Sequence, residues 1–89
     1  MAKTTATGFH PCGVDRHPLF AVQPGLPLSD ALDSAFSLLD VAEELAAHLG
    51  DPGDHSREQI GHACHMLLQM AKAAVQACTE GLSEEVHHV

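Results

Sequence analysis

The chain has 89 residues, enough for one small domain. Hydrophobic residues make up 45% of it, but only three are aromatic, so its core must be modest. With twelve acidic and four basic residues the formal net charge is -8, and no apolar run reaches the roughly 18 to 20 residues of a membrane span. This composition offers few cations to bind phosphates, so we expect a protein that binds neither nucleic acid nor membranes.

Residues 1–18 show no hydrophobic period. They mix Thr, Gly, His and Pro with one Cys, a composition typical of a flexible arm. Lys3 is not followed by the apolar region of a secretory signal, which favours a cytoplasmic protein. Residues 19–23 are mostly apolar and favour a short extended stretch or one edge strand, in which Phe20 and Val22 share one face. The Pro-Gly pair that follows predicts a turn.

A first helix is predicted over residues 29–49. Ser29 is a fair N-cap, and Asp30 and Asp33 place negative charge in the first turn. Apolar residues then recur at alternating steps of four and three, which defines one seam along the helix. The seam comprises Leu28, Leu32, Ala35, Leu39, Ala42, Ala46 and Leu49, and a second line of Ala31, Leu38 and Leu45 lies beside it.

A second, antiparallel helix is predicted over residues 56–80. Gly50 and Pro52 end the first helix, and the stretch from Ser56 to Gln59 has the pattern of a capping box. The spacing of four and three then continues to Gly81, which predicts a stop followed by a flexible tail over residues 82–89. The seam of this helix comprises Ile60, Cys64, Leu67, Ala71, Ala74 and Cys78, with Leu68 and Val75 beside it.

These elements predict an all-α protein: an antiparallel helical hairpin domain over residues 19–81 with a short extended N-terminal segment. Its seam is rich in alanine, which buries little area, so a single hairpin would leave the second apolar line in water. We therefore expect two hairpins to pair as a homodimeric four-helix bundle. The predicted dimer core comprises Phe20, Val22, Leu32, Phe36, Leu38, Leu39, Leu45, Leu67, Met70 and Val75.

Three stretches carry a resemblance to a known family: residues 20–27 (FAVQPGLP), 31–40 (ALDSAFSLLD) and 70–73 (MAKA). They are similar to the pattern of the small uncharacterised bacterial proteins catalogued as domain of unknown function 3077, and the likeness extends from about Phe20 to Val75. It implies a helical, self-associating protein and supplies no catalytic residues. Where the family pattern includes an aromatic residue near the start of the second helix, this chain has Gly61, His62, Cys64 and Met66.

The eight histidines are the most conspicuous excess in the composition. His62 and His65 stand three apart on the second helix, where both side chains could reach one metal ion, with His48 or His55 near the loop as further ligands. Zinc usually takes three or four protein ligands, and both helix positions fall on the outer face. Solvated surface histidines are therefore the default interpretation, and we expect no bound metal and no other cofactor.

Catalytic chemistry has little support in the sequence. Cys64 and Cys78 lie about 21 Å apart along one helix, too far for a disulfide, and are expected to be small buried hydrophobes. No phosphate-binding glycine loop, nucleophile elbow or dinucleotide fingerprint is present, so we expect no enzyme. The sequence favours a homodimeric protein-interaction or regulatory module. The alternative is a metal or small-molecule sensor that uses the histidines near the hairpin loop.

Overall fold

The fold is α+β. A computed structural model of the chain describes residues 1–48 and 57–87. Two strands, β1 (Thr7–Cys12) and β2 (His17–Val22), form an antiparallel sheet and are followed by two helices, α1 (Leu28–Ala47) and α2 (Arg57–His87). The all-α fold class predicted from the sequence is therefore wrong. The four-helix bundle expected with it assumed a bare helical hairpin and is not supported by these elements.

The β-hairpin occupies much of the segment for which the sequence predicts a flexible arm. Phe9 lies opposite Phe20, and their ring centroids are 5.7 Å apart. Gly13 and Arg16 take positive φ angles of 75° and 57° at the connecting turn. The local sequence conceals β1 because glycine and proline are poor strand formers, and the strand forms because β2 and α2 both pack against it.

The N-terminal segment ties the sheet to α1 through Thr4. The Thr4 hydroxyl donates to the carbonyl oxygen of Gln23 at 2.8 Å and accepts from the amide of Leu26 at 3.0 Å. The Thr4 amide donates to the Leu26 carbonyl, and the amide of Gly25 donates to the Thr4 carbonyl, both at 2.9 Å. Gly25 has a φ of 80°, so Pro24 and Gly25 form the turn that the sequence predicts.

The start of α1 differs from the predicted start. Its N-cap is Pro27, with no side-chain cap hydrogen bond, so the assignment of Ser29 as N-cap is wrong. The Pro27 carbonyl accepts from the amides of Asp30 and Ala31 at 3.2 and 3.3 Å, and the helical ladder therefore begins before the serine. The predicted capping box at Ser56 lies outside the described residues.

α2 continues past Gly81, where the sequence predicts a stop and a flexible tail. The N-terminal segment packs against this turn so closely that a Cβ at position 81 would overlap the carbonyl oxygen of Lys3. One turn earlier, the amide of Thr5 donates to the Ala77 carbonyl at 3.2 Å. Gly81 therefore permits a close backbone approach instead of ending the helix.

α2 lies between α1 and the sheet. The Sγ atom of Cys64 is 3.6 Å from the carbonyl oxygen of Ala42, and that of Cys78 is 3.8 Å from the carbonyl oxygen of Leu28, so the helices are antiparallel neighbours. Among the described residues, both strands pack against α2 and neither packs against α1. The Cα atoms extend over 56 × 32 × 14 Å, so the molecule is a thin plate. Neither helix is, over its described residues, long and apolar enough to cross a membrane.

The core is built from small side chains. Ala35, Ala71 and Ala74 form a cluster between the helices, with the half-buried Leu38 packed against it. The prediction that Cys64 and Cys78 are buried is confirmed, and burial raises the pKa of the Cys78 thiol. The buried apolar residues of the described chain are Ala31, Ala35, Ala42, Cys64, Ala71, Ala73, Ala74, Ala77 and Cys78.

Candidate functional site: an exposed apolar face

Large apolar side chains lie outside this core on one surface of the helical pair. Leu32, Phe36 and Leu39 follow one another on α1 at steps of four and three, so they share a side of that helix. Leu68 and Val75 lie two turns apart on α2 and line one groove together with Leu39. We call these five residues the apolar face. Their exposed fractions, in chain order, are 47%, 73%, 45%, 48% and 43%.

Two grooves run along this surface between the helices. One has a volume of about 570 Å³ and is lined by Leu39, Leu68, Ala71, Lys72, Val75 and Gln76. The other has a volume of about 420 Å³ and is lined by Leu39, Ala42, Glu43, Ala46, Cys64 and Leu68. Because both grooves include Leu39 and Leu68, these two leucines mark the middle of the apolar face.

The grooves exist because alanine occupies the seam. At Ala35, Ala42 and Ala71 the side chain ends at Cβ, so the helices can approach closely but leave open space beside the contact. The longer Leu39 and Leu68 flank that contact and remain about half exposed. A contiguous apolar surface of this kind, bordered by polar residues, typically marks a contact site for another molecule.

Two charged residues line the grooves at opposite ends of the surface. Glu43 lies on α1, one turn beyond Leu39, and Lys72 lies on α2, one turn beyond Leu68. Neither forms an ion pair within residues 1–48 and 57–87. The surface therefore carries one charge of each sign, although the chain as a whole has a net charge of -8.

The ten residues predicted as a dimer core fall into two groups. Phe20, Leu32, Phe36, Leu39 and Val75 are exposed, whereas Val22, Leu38, Leu45, Leu67 and Met70 are half-buried. The second line, which the sequence leaves in water, is turned inward: Ala31 is buried, and Leu38 and Leu45 are half-buried. This happens because the contact between the helices runs between the two apolar lines of α1, which exposes the side that carries Leu32 and Leu39.

The histidine candidates for metal binding do not form a cluster in the described chain. His62 and His65 are exposed on α2, and the Nε2 atom of His62 lies 3.9 Å from a carboxylate oxygen of Glu58. His48 is the C-cap of α1, and His55 lies outside the described residues. No three His, Cys, Asp or Glu side chains in residues 1–48 and 57–87 lie close enough together to hold a metal ion.

A smaller cleft of about 210 Å³ lies between β1 and α2. In it, the protonated Nδ1 atom of His10 donates to the amide oxygen of Gln69 at 3.2 Å. His10 has a φ of 57°, which is unusual for a residue other than glycine, and its ring centroid is 5.8 Å from that of Phe20. His10 thus joins the sheet to α2, a role that sequence reasoning missed because it placed His10 in a flexible arm and did not predict β1.

Sequence reasoning also missed the side of α2 that faces the sheet. Ala73, Ala77 and Gly81 recur at steps of four on the side of the helix opposite Ala71. This second stripe of small residues is the signal that could have revealed another element packed there. Leu68 was missed as a surface residue for a simpler reason, since it was placed beside the seam and not among the dimer contacts.

Fold and surface together define a small acidic α+β protein whose helical pair leaves one apolar face uncovered. The chain belongs to the family described as Protein of unknown function (DUF3077), which matches residues 4–80. The match includes both strands, α1 and most of α2, and it confirms the resemblance seen in the sequence. No curated protein and no solved structure matches the chain.

Proposed function

We propose that this chain is a protein-interaction module that works as a homodimer, with the apolar face as its contact surface. One observation carries the proposal. The buried apolar residues of the described chain are all alanines and cysteines, whereas the phenylalanine, three leucines and valine of the apolar face remain in water.

The energetic reason is the cost of that exposure. Burying a fully exposed side chain of this kind contributes about 1.5–3 kcal/mol, and roughly half of that is still to be gained at a half-exposed residue such as Leu39, with more at Phe36. The whole stability of a small domain is only about 5–15 kcal/mol. Covering five such side chains is therefore a large gain for a plate whose own core is made of alanine. The plate extends over 56 × 32 Å, which leaves room for the roughly 800 Å² per partner of a standard interface.

A second copy fits this surface better than a strongly charged partner does. The charged residues that line the grooves are one glutamate and one lysine, so the surface presents no single sign of charge to a partner. In an isologous contact each copy uses the same surface, so the apolar face of one copy covers the apolar face of the other. The net charge of -8 on each chain opposes association, and the apolar contact has to exceed that repulsion.

Sedimentation equilibrium tests this proposal. The wild-type protein is expected at twice the 9.4 kDa mass of the chain, with a melting temperature that rises with protein concentration. Leu39→Asp places a charge in the middle of the apolar face and should shift the mass to that of one chain. Ser37→Asp is the matched control because it adds the same charge to α1 on the opposite surface, beside Leu38 and Met70.

A milder variant separates association from folding. Phe36 is 73% exposed, so Phe36→Ser removes little from the fold of one chain, and it should weaken the dimer while circular dichroism still shows both helices. A wild-type protein that stays at the mass of one chain at every concentration, with full helicity, would overturn the homodimer. Equal loss of dimer in Ser37→Asp and Leu39→Asp would overturn the choice of surface.

A further inference from the structure

Starting from the proposed homodimer, we infer how the two copies are oriented: they meet about a two-fold axis parallel to the helices, so that α1 of each copy lies along α2 of the other. In this arrangement Glu43 of each copy meets the partner's His65, and Phe36 meets the partner's Lys72. The inference rests on the proposed function, and it goes beyond it by assigning partners to the charged residues of the surface.

The relative height of residues on the two helices is fixed by two contacts. Cys64 lies against Ala42 and Cys78 against Leu28. Two residues, one on each helix, that lie at the same height along the helix axes are called level. Their numbers add to 106, as 64 with 42 and 78 with 28 do. By this relation Leu68 is level with position 38, one residue from Leu39, in agreement with the grooves that both residues line.

The exposed stripes of the two helices have the same spacing. On α1, residues recur at steps of four and three from the N-terminal end, and on α2 a matching stripe runs in the opposite direction. The two members of each pair of facing residues lie at the same height along the helices to within two residues, about 3 Å along the axis. Listed from one end of the surface to the other, the level pairs are Leu32 with Val75, Phe36 with Lys72, Leu39 with Leu68, Glu43 with His65, and Ala46 with Gly61.

Rotation about an axis parallel to the helices preserves level and places α1 over the partner's α2. Each level pair then becomes a contact between copies. Apolar residues meet apolar residues, and the aromatic ring of Phe36 meets a cation, a favourable contact. Ala46 meets Gly61, where a Cβ would have no other atom within 4 Å, so the helices have room to approach at that end.

The other face-to-face arrangement is less favourable. An axis across the helices reverses the levels and places α1 over the partner's α1. Lys72 would then face the partner's His65, and Glu43 would face the partner's Phe36. That arrangement pairs a cation with a histidine and a carboxylate with an aromatic ring, whereas the parallel axis gives both charged residues a suitable partner.

A double-mutant cycle between positions 43 and 65 tests the orientation, with the dimer Kd as its readout. His65→Glu should weaken the dimer about tenfold, because two carboxylates then meet at each of two symmetric contacts. Adding Glu43→Lys to His65→Glu should restore tight association by creating an ion pair. Ala63→Glu is the matched control: it makes the same change in net charge at an exposed position on the opposite side of α2.

Whether His65→Glu raises or lowers the dimer Kd distinguishes the two orientations. A tighter dimer would overturn the inference, since it would indicate that position 65 meets the partner's Lys72. If Glu43→Lys coupled to Ala63→Glu as strongly as to His65→Glu, the inference would also be overturned, because net charge alone would then account for the change in Kd. Either result leaves the homodimer standing if Leu39→Asp still abolishes association. A monomeric wild type would instead show that the proposed function itself is wrong.

Discussion

The two sides of α2 are stabilised by different means. On one side, the N-terminal segment and the sheet contact the helix through hydrogen bonds and a close backbone approach, at Thr5, His10 and Gly81. On the other side, α1 contacts the helix through alanines and cysteines and leaves the apolar face in water. The contacts on the first side are all made within one chain, whereas the second side leaves apolar surface that another molecule can cover. Substitutions on the two sides should therefore differ in how their effects depend on protein concentration.

Gly81→Ala is the most severe test of the sheet side. The added Cβ would overlap the Lys3 carbonyl oxygen and lie 2.9 Å from its carbon, so the N-terminal segment must move away. We expect a loss of about 3 kcal/mol in the free energy of unfolding, measured by urea denaturation at fixed protein concentration. Ser83→Ala, an exposed change on the same helix, should have almost no effect. Equal stability of the Gly81→Ala variant and wild type would show that this close approach is not required.

Thr4→Val should have the next largest effect. The substitution keeps the shape of the side chain but leaves the Gln23 carbonyl and the Leu26 amide without their hydroxyl partner. We expect a loss of about 2 kcal/mol, again at fixed concentration. The hydroxyl of Thr79 donates only to the Val75 carbonyl of its own exposed turn, so Thr79→Val is a matched control with little expected loss. Similar losses in the two variants would contradict the role given to Thr4.

Gly25→Ala should cost less. Its φ of 80° lies in the left-handed region, where an alanine is less stable than a glycine by about 1 kcal/mol. A Cβ at this position meets no atom within 4 Å, so backbone conformation alone should set the cost. Asparagine tolerates this region better, and Gly25→Asn should therefore lose less stability than Gly25→Ala in the same denaturation experiment. An equal loss in both variants would point to packing instead.

Glu80 gives the smallest effect, which depends on pH. Hydrogen bonds from Gln76 and from the Thr5 hydroxyl, both at 3.0 Å, hold the pKa of its carboxyl below the usual value for a glutamate. A lowered pKa in the folded state means that the stabilisation is present above the usual glutamate pKa and is lost as the pH falls through the folded-state value. Thr5→Val should raise the pKa of Glu80 in an NMR titration. An unchanged titration would show that the Thr5 hydroxyl does not contribute.

The helices were predictable because their signals are local. The alternating apolar steps predicted helices over residues 29–49 and 56–80, where the structure has α1 over Leu28–Ala47 and α2 over Arg57–His87. The same seams contained Ala35, Ala71 and Cys78, which are buried. The Pro24-Gly25 turn was equally local, since proline and glycine each favour the dihedral angles it needs. Small residues along a seam also indicated that one chain has little core to bury.

Only the tertiary structure decided the rest. β1 contains Gly8 and Pro11, so its strand exists because β2 and α2 pack against it, and no local preference reveals such neighbours. A glycine such as Gly81 looks the same in the sequence whether it ends a helix or allows another segment of backbone to approach closely. Here the contact with Lys3 shows that it allows a close approach. The apolar face was likewise undecided by the sequence. Two apolar lines on one helix compete for the core, and a rotation of a few tens of degrees, fixed by how closely alanines let the helices approach, determines which line remains outside.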